Sequence, residues 1–472
     1  MKYSYNSQEF NNKELEILRN AIDEAQRKKG KLISTPQIQN IIHIVEKFLR
    51  DTGFICYGGT AINNILPKND QFYDHTIELP DYDFFAPNAI EQTKRLADIY
   101  YNEGFDEVEA KAGAHPGTYK VYVNFIPIAD ITDLDRGIYN AVKKDSIKID
   151  GINYAPPNYL RMSAYLELSR PHGDISRWEK VLKRLILLNK HYPFNIQNCN
   201  VHDFIRKFET PYENINSIYK IVRNTLINQG VVFFGGLAIY SYGKYISKKE
   251  RNLLIKYPDF DVLANNPEKV ANTIKHNLES ANFKNVTVKK HCPIGENIAE
   301  HYSVNVHDEI VAFIYKSIAC HSYNIIKINN SLVKIATIDT MLSLYLAFLY
   351  ANKPYYDPHR ILCIAQYLFN VQSRNRLSQK GVLKRFSTKC YGKQSTLETI
   401  RAEKAFKFRE LKHKKCSKEY EKYFLRYFPG QKNYCNEIKK DKKDKKDKTI
   451  KRDKKDKKDK TIKRDKKDKN KK

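Results

Sequence analysis

The sequence predicts an α+β protein built from two tandem copies of one module, each a mixed sheet with covering helices. The 472 residues are 41% hydrophobic and 12% aromatic, which is enough to build the cores of several domains. Two apolar strands end in paired glycines, at 54–62 and 231–239, and an Asp-x-Asp motif follows each of them. Short strands that alternate with helices favour this class over a doubly wound parallel sheet.

The predicted organisation has five parts. In chain order they are an N-terminal helical segment at 1–30, a first module at 31–195, a second module at 205–372, a basic helical segment at 373–435 and a tail at 436–472. The tail contains KKDKKDKTIKRD twice in tandem, at 442–453 and 454–465. It has no apolar face, so we predict that it is disordered. It is either a salt-sensitive tether for a polyanion or a repeat expansion without a function.

The two modules share the same order of signals. Each is predicted to begin with an amphipathic helix after a Thr-Pro pair, at Thr35-Pro36 and at Thr210-Pro211. After the Asp-x-Asp motif, Tyr119–Ile131 aligns without a gap on Tyr302–Ile314. So many ordered matches indicate an internal duplication.

Charge and cysteine content limit the class of partner and the compartment. The formal net charge of +29 suits a polyanion, most often a nucleic acid. The eight cysteines are scattered without a C-x-x-C pair, which predicts neither a disulfide framework nor structural zinc and favours a reducing compartment. The start of the chain lacks a secretory signal, and the longest apolar stretch, 341–351, is too short to span a bilayer. We therefore expect a soluble intracellular protein with no membrane partner.

Three aspartates of the first module are candidate metal ligands. In LPDYDFF, strand periodicity puts Asp81 and Asp83 on one face, where the two carboxylates repel each other unless a cation lies between them. Asp130 lies in the apolar strand IPIADIT, where an aspartate is costly unless it is ligated or paired. If the two strands are neighbours, the three carboxylates form an oxygen-rich site for Mg²⁺, as two-metal phosphoryl chemistry requires.

A candidate phosphate-binding turn precedes these aspartates. Gly58, Gly59 and Thr60 follow an apolar strand and begin a helix, so glycine backbone, free amides and a hydroxyl face any bound phosphate. Each motif alone is common, because Asp-x-Asp pairs are usually solvated turns and Gly-Gly is usually a tight turn. The combination of strand, Gly-Gly, helix, Asp-x-Asp and a third aspartate is much more specific.

The second module is predicted to be inactive. The alignment places Phe313 opposite Asp130 and Leu237 opposite Thr60, and neither side chain can replace the polar group. We expect this copy to be structural, binding RNA or packing against the first module. Some acidic side chains could still hold a cation weakly, namely Asp259, Asp261, Asp308 and Glu309.

A basic stretch with aromatic residues follows the candidate catalytic strands at 161–190. A positively charged groove with aromatic platforms is what single-stranded RNA requires. The candidates for contact with RNA or a triphosphate are Arg161, Tyr165, Arg177 and Lys180. The alternative is a helix pair with a solvated basic face and an apolar core, and we expect both descriptions to hold in part.

The motifs YGGTAIN and LPDYDFF, the Asp130 strand and the stretch YLRMSAYLELSRPHGDISRWEKVLKRLILLN resemble the poly(A) polymerase catalytic subunit of large DNA viruses, of the poxvirus and mimivirus kind. The resemblance covers most of 31–372. It implies a nucleotidyltransferase fold of the DNA polymerase beta type with a degenerate second copy, and a mixed sheet in each. It also implies polyadenylation of RNA 3′ ends from ATP during viral mRNA processing.

The same resemblance implies the site and its cofactors. The family's metal-binding carboxylates fall on Asp81, Asp83 and Asp130, which would hold two Mg²⁺ or Mn²⁺ ions, and its phosphate-gripping turn falls on Gly58, Gly59 and Thr60. Giant-virus relatives imply a homodimer, whereas the poxvirus enzymes use a separate processivity subunit. The expected locations are the viral factory in the host cytoplasm and the virion.

Two alternatives remain open on the sequence alone. One is another template-independent RNA terminal nucleotidyltransferase, such as a CCA-adding, uridylating or oligoadenylate-forming enzyme, because spacing does not identify the nucleobase. The other is a non-catalytic basic RNA-binding scaffold with two inert modules. The complete set of three aspartates in the first copy argues against the scaffold.

Overall fold

The computed structural model describes residues 7–33, 35–73, 79–206, 214–254, 257, 259–328 and 330–431. The tail that we predict to be disordered lies outside these residues, as does the Thr210-Pro211 start of the second module's first helix. A first helix, α1 (Ser7–Ile33), precedes both modules. Among the described residues, no helix is both long enough and apolar enough to cross a bilayer.

The first module contains six helices and seven strands among the described residues. The helices are α2 (Pro36–Thr52), α3 (Gly58–Ile65), α4 (Ala89–Asn102), α5 (Arg136–Lys144), α6 (Pro157–Leu168) and α7 (Trp178–His191). The strands are β1 (Ile55–Cys56), β2 (Tyr82–Phe85), β3 (Val108–Ala112), β4 (Thr118–Val123), β5 (Ile126–Thr132), β6 (Ile147–Ile149) and β7 (Ile152–Tyr154).

The second module has the same plan in its described part. Its helices are α8 (Ile215–Asn228), α9 (Gly236–Ser241), α10 (Lys248–Leu253), α11 (Pro267–Ser280), α12 (Ile338–Phe348) and α13 (Pro358–Arg374). Its strands are β8 (Val232–Phe233), β9 (Phe260–Ala264), β10 (Val286–His291), β11 (His301–Val306), β12 (Glu309–Lys316), β13 (His321–Ile328) and β14 (Ser331–Ala336).

The C-terminal segment is only partly helical, which corrects the prediction for 373–435. Its elements are β15 (Cys390–Tyr391), α14 (Leu397–Leu411), α15 (Lys418–Phe424) and β16 (Arg426–Tyr427). β15 pairs with β13 of the second sheet, and β16 pairs with β3 of the first sheet. Each of these strands has two residues, too few for an alternating pattern to be visible in the sequence.

The order of the strands confirms the internal duplication. The first sheet runs β16-β3-β4-β5-β2-β1-β7-β6, and the second runs β10-β11-β12-β9-β8-β14-β13-β15. Apart from β15 and β16, each strand of one sheet has a counterpart at the same place in the other. Both sheets are mixed, since β2 is parallel to β5 and antiparallel to β1, and β9 is parallel to β12 and antiparallel to β8. The predicted architecture, with covering helices on mixed sheets, is therefore confirmed.

Local sequence explains the elements that carry the site. Helix α2 begins at Pro36 and is capped after Thr52 by Gly53, whose φ of 63° is accessible to glycine without strain. Strand β4 alternates, with Tyr119, Val121 and Val123 buried in the core and the intervening side chains on the opposite face. This alternation directs Lys120 to the face of the sheet that carries Asp130, its partner in the register.

The two modules share one apolar core. Helix α6 of the first module packs against α12 of the second, and the rings of Tyr159 and Tyr350 meet edge to face with centroids 5.2 Å apart. The backbone N–H of Ser322 donates to the carbonyl of Ser169 over 2.8 Å, which joins the ends of α6 and the second sheet. Helix α6, which follows the strands of the first module, is thus held by contacts with the second module as well as with its own.

Candidate active site

Three carboxylates of the first module meet at two neighbouring strands in the middle of the sheet. Strands β2 and β5 are parallel neighbours, and their register sets Asp83 directly beside Asp130. Asp81 lies two residues before Asp83, on the same face. Burial raises the pKa of Asp83 to about 7, and the negative charges of Asp81 and Asp130 add to the effect. Burial and the charge of Asp130 also raise the pKa of Asp81. The cluster is therefore short of positive charge.

Asp130 has one paired oxygen and one unpaired oxygen. Its Oδ2 forms an ion pair with Nζ of Lys120, the residue opposite it on β4. Its Oδ1 is buried without a hydrogen-bond partner among the described residues. A buried carboxylate oxygen normally has a partner, so this orphan oxygen beside two further carboxylates fits a divalent cation. The side chains that would hold such ions are Asp81, Asp83 and Asp130.

The Gly-Gly turn lies against this carboxylate cluster. Gly58 has a φ of 73°, and a Cβ on it would stand 2.6 Å from Oδ2 of Asp83. A Cβ on Gly59 would stand 2.7 Å from Nη1 of Arg184. Gly58 therefore suits its backbone conformation, and a side chain at either position would force Asp83 or Arg184 to move. Helix α3 begins at Gly58, so its free N-terminal amides lie next to the carboxylates.

Thr60 has a different role from the one that its position predicts. Its hydroxyl donates to the backbone carbonyl of Asp81 over 2.7 Å, and its side chain is buried. The hydroxyl hydrogen is thus engaged within the protein and is not directed at a phosphate. Thr60 instead fixes helix α3 to the start of the Asp-x-Asp strand.

Helix α7 presents a basic face to the site. Arg177, Lys180 and Arg184 are three and four residues apart, so they share one side of the helix. Lys180 partly offsets the effect of burial on the pKa of Asp81, and Arg177 does so for Asp83, which places both positive charges near the carboxylates. Nε of Arg177 also pairs with Oε1 of Glu167 over 3.2 Å.

Arg184 is held at the glycine turn. Its Nη2 donates to the hydroxyl of Tyr73 over 2.6 Å, and its guanidinium lies over the rings of Phe72 and Tyr73. The guanidinium of Arg184 therefore lies next to Gly59, where it would contact an anion bound at the turn.

Arg161 and Tyr165 are buried in the protein interior and out of reach of RNA, which corrects their assignment as candidates. Arg161 is buried, donates to Asn189 and Asn158 over 2.7 Å each, and lies over the ring of Phe194. Tyr165 is fully buried in the core. Both lie on the side of α6 that packs inward, a distinction that helical periodicity alone does not give.

The corresponding site of the second module is closed by arginines. Asp259 and Asp261 are buried, and Nη2 of Arg206 lies 3.0 and 3.1 Å from their oxygens. Arg360 pairs with Asp259 over 2.5 Å. Phe313 stands beside Asp261 in the parallel register, at the place that Asp130 occupies in the first module. The predicted weak cation site on these aspartates is therefore already occupied by guanidinium groups. Asp308 and Glu309 line an adjoining cavity of about 290 Å³, which Arg206 and Arg360 also line.

The prediction that the cysteines form no disulfides is wrong. Cys199 and Cys363 are disulfide-bonded with their Cα atoms 5.4 Å apart, and so are Cys320 and Cys390, at 5.1 Å. The partners are 164 and 70 residues apart in the chain. Only the tertiary fold brings such distant cysteines together, so their spacing gave no signal.

Sequence reasoning missed two basic residues at the site. Lys120 could have been found from the alternation of β4, because it faces away from the buried side chains of the strand. Arg184 lies in the basic stretch, but its contact with Tyr73 depends on a loop whose path the sequence does not specify.

Comparison with known proteins agrees with this geometry. Residues 43–174 match the family model of the poly(A) polymerase catalytic subunit. A protein of Acanthamoeba polyphaga mimivirus is 28% identical over 212 residues, and one of African swine fever virus is 29% identical over 186 residues. Both are named as poly(A) polymerase catalytic subunits. The resemblance to viral poly(A) polymerase catalytic subunits is confirmed.

The matches differ in their extent. The mimivirus alignment covers 43% of this chain and 35% of the relative, and the African swine fever virus alignment covers 38% of each. The aligned part of this chain thus covers little more than a third of the length of either relative. The crystal structure of the Megavirus polyadenylate synthase superposes with a TM-score of 0.75 at 20% identity, over 94% of this chain and 91% of that one. This likeness establishes the fold across both modules.

Proposed function

We propose that this chain adds adenylates from ATP to the 3′ ends of RNA without a template. The observation that carries the proposal is the strand register that sets Asp83 beside Asp130. Oδ1 of Asp130 has no hydrogen-bond partner among the described residues, and Asp83 lies against the Gly-Gly turn. The names of the matching relatives and the matching family model support polyadenylation over other transfers. The positive charge of the chain suits an RNA partner.

The residues have distinct roles in the proposed reaction. The amides at Gly58 and Gly59 and the guanidinium of Arg184 bind the triphosphate, and Lys180 adds a positive charge beside Asp81. Asp81, Asp83 and Asp130 would hold two Mg²⁺ or Mn²⁺ ions, which supply charge stabilisation and a more acidic 3′-hydroxyl when bound. Thr60 keeps Asp81 in place. The 3′-oxygen of RNA attacks the α-phosphorus of ATP, and pyrophosphate leaves.

Primer extension tests this proposal. Full-length protein is incubated with oligo(A) and each labelled NTP in turn, with Mg²⁺ or with EDTA. We expect metal-dependent extension from ATP above the other nucleotides. Preferred incorporation of UTP or CTP would support a different terminal nucleotidyltransferase, and no extension by folded protein would support a binding scaffold. Light scattering of the same sample tests the homodimer that the relatives imply.

Matched variants separate catalysis from folding. Asp130→Asn is expected to lower extension at least about 100-fold, because it removes one of the charges that hold the catalytic ions. Phe313→Ala, at the same position of the second module, should cost about 3–5 kcal/mol of stability and leave extension by the folded protein unchanged. Wild-type turnover by Asp130→Asn would refute the site.

A further inference from the structure

Four side chains with the chemistry of zinc ligands meet outside the catalytic site. Cys199 and Asp203 belong to the connection between the modules, and His359 and Cys363 lie on helix α13. The ligand atoms of Asp203, His359 and Cys363 all lie within 4.8 Å of one another, and Nε2 of His359 is 3.6 Å from Sγ of Cys363. Cys199 joins the group through its bond to Cys363.

The spacing of these residues suits a metal site. His359 and Cys363 are four residues apart on α13, so both project from one face of the helix. Cys199 and Asp203 are also four apart, and a short 3₁₀ helix at Val201–Phe204 holds the second of them. Asp203 accepts from the backbone N–H of Asn200, which orients its carboxylate. Two ligand pairs, each with three intervening residues, resemble the ligand spacing of structural zinc sites.

The electrostatic surroundings favour a cation. The cavity beside the cluster is lined by the acidic side chains of Asp308, Glu309 and Asp357. Two arginines, Arg206 and Arg360, also line it, but both are paired with the buried aspartates of the second module. Negative charge is therefore in excess at the mouth of the cavity, where His359 is exposed.

We propose that the reduced protein binds one Zn²⁺ through Cys199, Asp203, His359 and Cys363, and that the disulfide is the oxidised, metal-free form of the same site. A dithiol reductant supplies two electrons and two protons to the Cys199–Cys363 bond and is itself oxidised to a disulfide. Zinc then replaces the two thiol protons, which pass to solvent. Two thiolates, one imidazole and one carboxylate complete a tetrahedral set.

The site would join the connection between the modules to helix α13 in either state. Arg206 lies three residues after Asp203, and Arg360 directly follows His359. Zinc at the cluster would hold both arginines over Asp259 and Asp261, as the disulfide does. The chain would then keep this contact in a reducing compartment, where the disulfide alone would be lost.

Cobalt substitution tests this proposal independently of polymerase activity. The full-length chain is reduced with a phosphine, desalted without oxygen and titrated with Co²⁺. We expect one equivalent of Co²⁺ with tetrahedral d–d bands and a thiolate-to-cobalt charge-transfer band, both removed by Zn²⁺. Carboxylates of the catalytic site cannot produce the thiolate band. The oxidised protein should show no such band, and its absence from the reduced protein would overturn the proposal.

Single variants locate the site. His359→Ala changes an exposed side chain and should weaken Co²⁺ binding at least about tenfold, since the loss of even an outer-shell partner costs that much. Cys199→Ser should lower the intensity of the charge-transfer band. The control is His172→Ala, because His172 lies near Cys320 and Cys390 in a second group of possible ligands. Loss of the band in His172→Ala with full binding by His359→Ala would refute the assignment.

Discussion

Asp83 is a buried carboxylate of the candidate site whose ionised form the fold disfavours. Burial, together with the charges of Asp81 and Asp130, raises its pKa from 3.8 to about 7. The metal-free folded protein therefore holds the proton of Asp83 more tightly than the unfolded chain does. Its contribution to the free energy of unfolding falls as the pH rises from about 4 to about 7, and the full cost is present above pH 7.

Asp83→Asn removes this cost, so we expect the metal-free variant to be more stable than wild type above pH 7. Each kcal/mol relieved should raise Tm by about 2–4 °C, and the difference should vanish near pH 4. Saturating Mn²⁺ should reverse the order, because only the wild type keeps all three carboxylates. Differential scanning calorimetry at several pH values measures both effects.

Asp51→Asn serves as the control for this prediction, since Asp51 is an exposed carboxylate at the end of α2. It should leave Tm unchanged with or without metal. Equal Tm values for wild type and Asp83→Asn at pH 8 would show that the cluster does not repel itself in the metal-free protein.

The sequence predicted the convergence of the three carboxylates better than it predicted their surroundings. Asp81, Asp83 and Asp130 could be found because two apolar strands carry carboxylates that need a partner. Lys120 could have been found from the alternation of β4, but Arg184 could not be ranked above other basic residues, because its role depends on a loop. Thr60 was assigned to a phosphate because a helix N-terminus was visible, whereas its true acceptor, the carbonyl of Asp81, was not.

At the level of elements, helix α7 has two faces with different expected functions. Arg184 faces the glycine turn, whereas Lys183 is exposed and pairs with Glu179 on the same helix. Arg184→Ala should raise the KM for ATP about tenfold or more, because it removes a charge-assisted contact worth about 1.5–3 kcal/mol. Steady-state primer extension over a range of ATP concentrations measures the change.

Lys183→Ala is the matched control and should leave both kcat and KM unchanged, as expected for an exposed ion pair of small energy. A similar KM for both variants would mean that the basic face of α7 does not bind the triphosphate.

The elements that the sequence misassigned share a physical cause. Arg161 and Tyr165 lie on α6, which is buried on several sides because it packs against both α7 and α12 of the second module. A helix buried on several sides gives no amphipathic signal that separates its functional face from its packed face. The short strands β15 and β16 were missed because each needs a partner that lies far away in the chain.

For the whole molecule, the two modules differ in how they neutralise equivalent aspartates. In the alignment Arg177 corresponds to Arg360, and the second pairs directly with buried Asp259. Arg360→Ala leaves that buried charge short of one partner, so we expect a loss of about 3–5 kcal/mol in stability. Extension by the folded variant below its Tm should be preserved. Chemical denaturation and primer extension on one preparation test both statements.

Arg374→Ala, an exposed change at the end of the same helix α13, should leave the stability within about 0.5 kcal/mol of wild type. Equal stability of Arg360→Ala and wild type would imply that Arg206 alone neutralises the pair.

The Lys/Asp tail adds positive charge to the chain. Deletion of 436–472 should weaken RNA binding at low salt and make the slope of log K against log salt less steep, while kcat at saturating primer stays the same. Fluorescence anisotropy with labelled RNA over a salt series measures the slope. An unchanged slope would favour a repeat expansion without a function.

The last described strand, β16, completes the edge of the sheet that carries Asp83 and Asp130. The ribosome therefore has to synthesise residues up to at least Tyr427 before the first sheet can acquire its outermost strand. Until then, the backbone of β3 is open to pairing with other nascent chains. Expression of chains cut before Arg426 should accordingly give aggregates that a chaperone must hold, although all three carboxylates of the candidate site have been made.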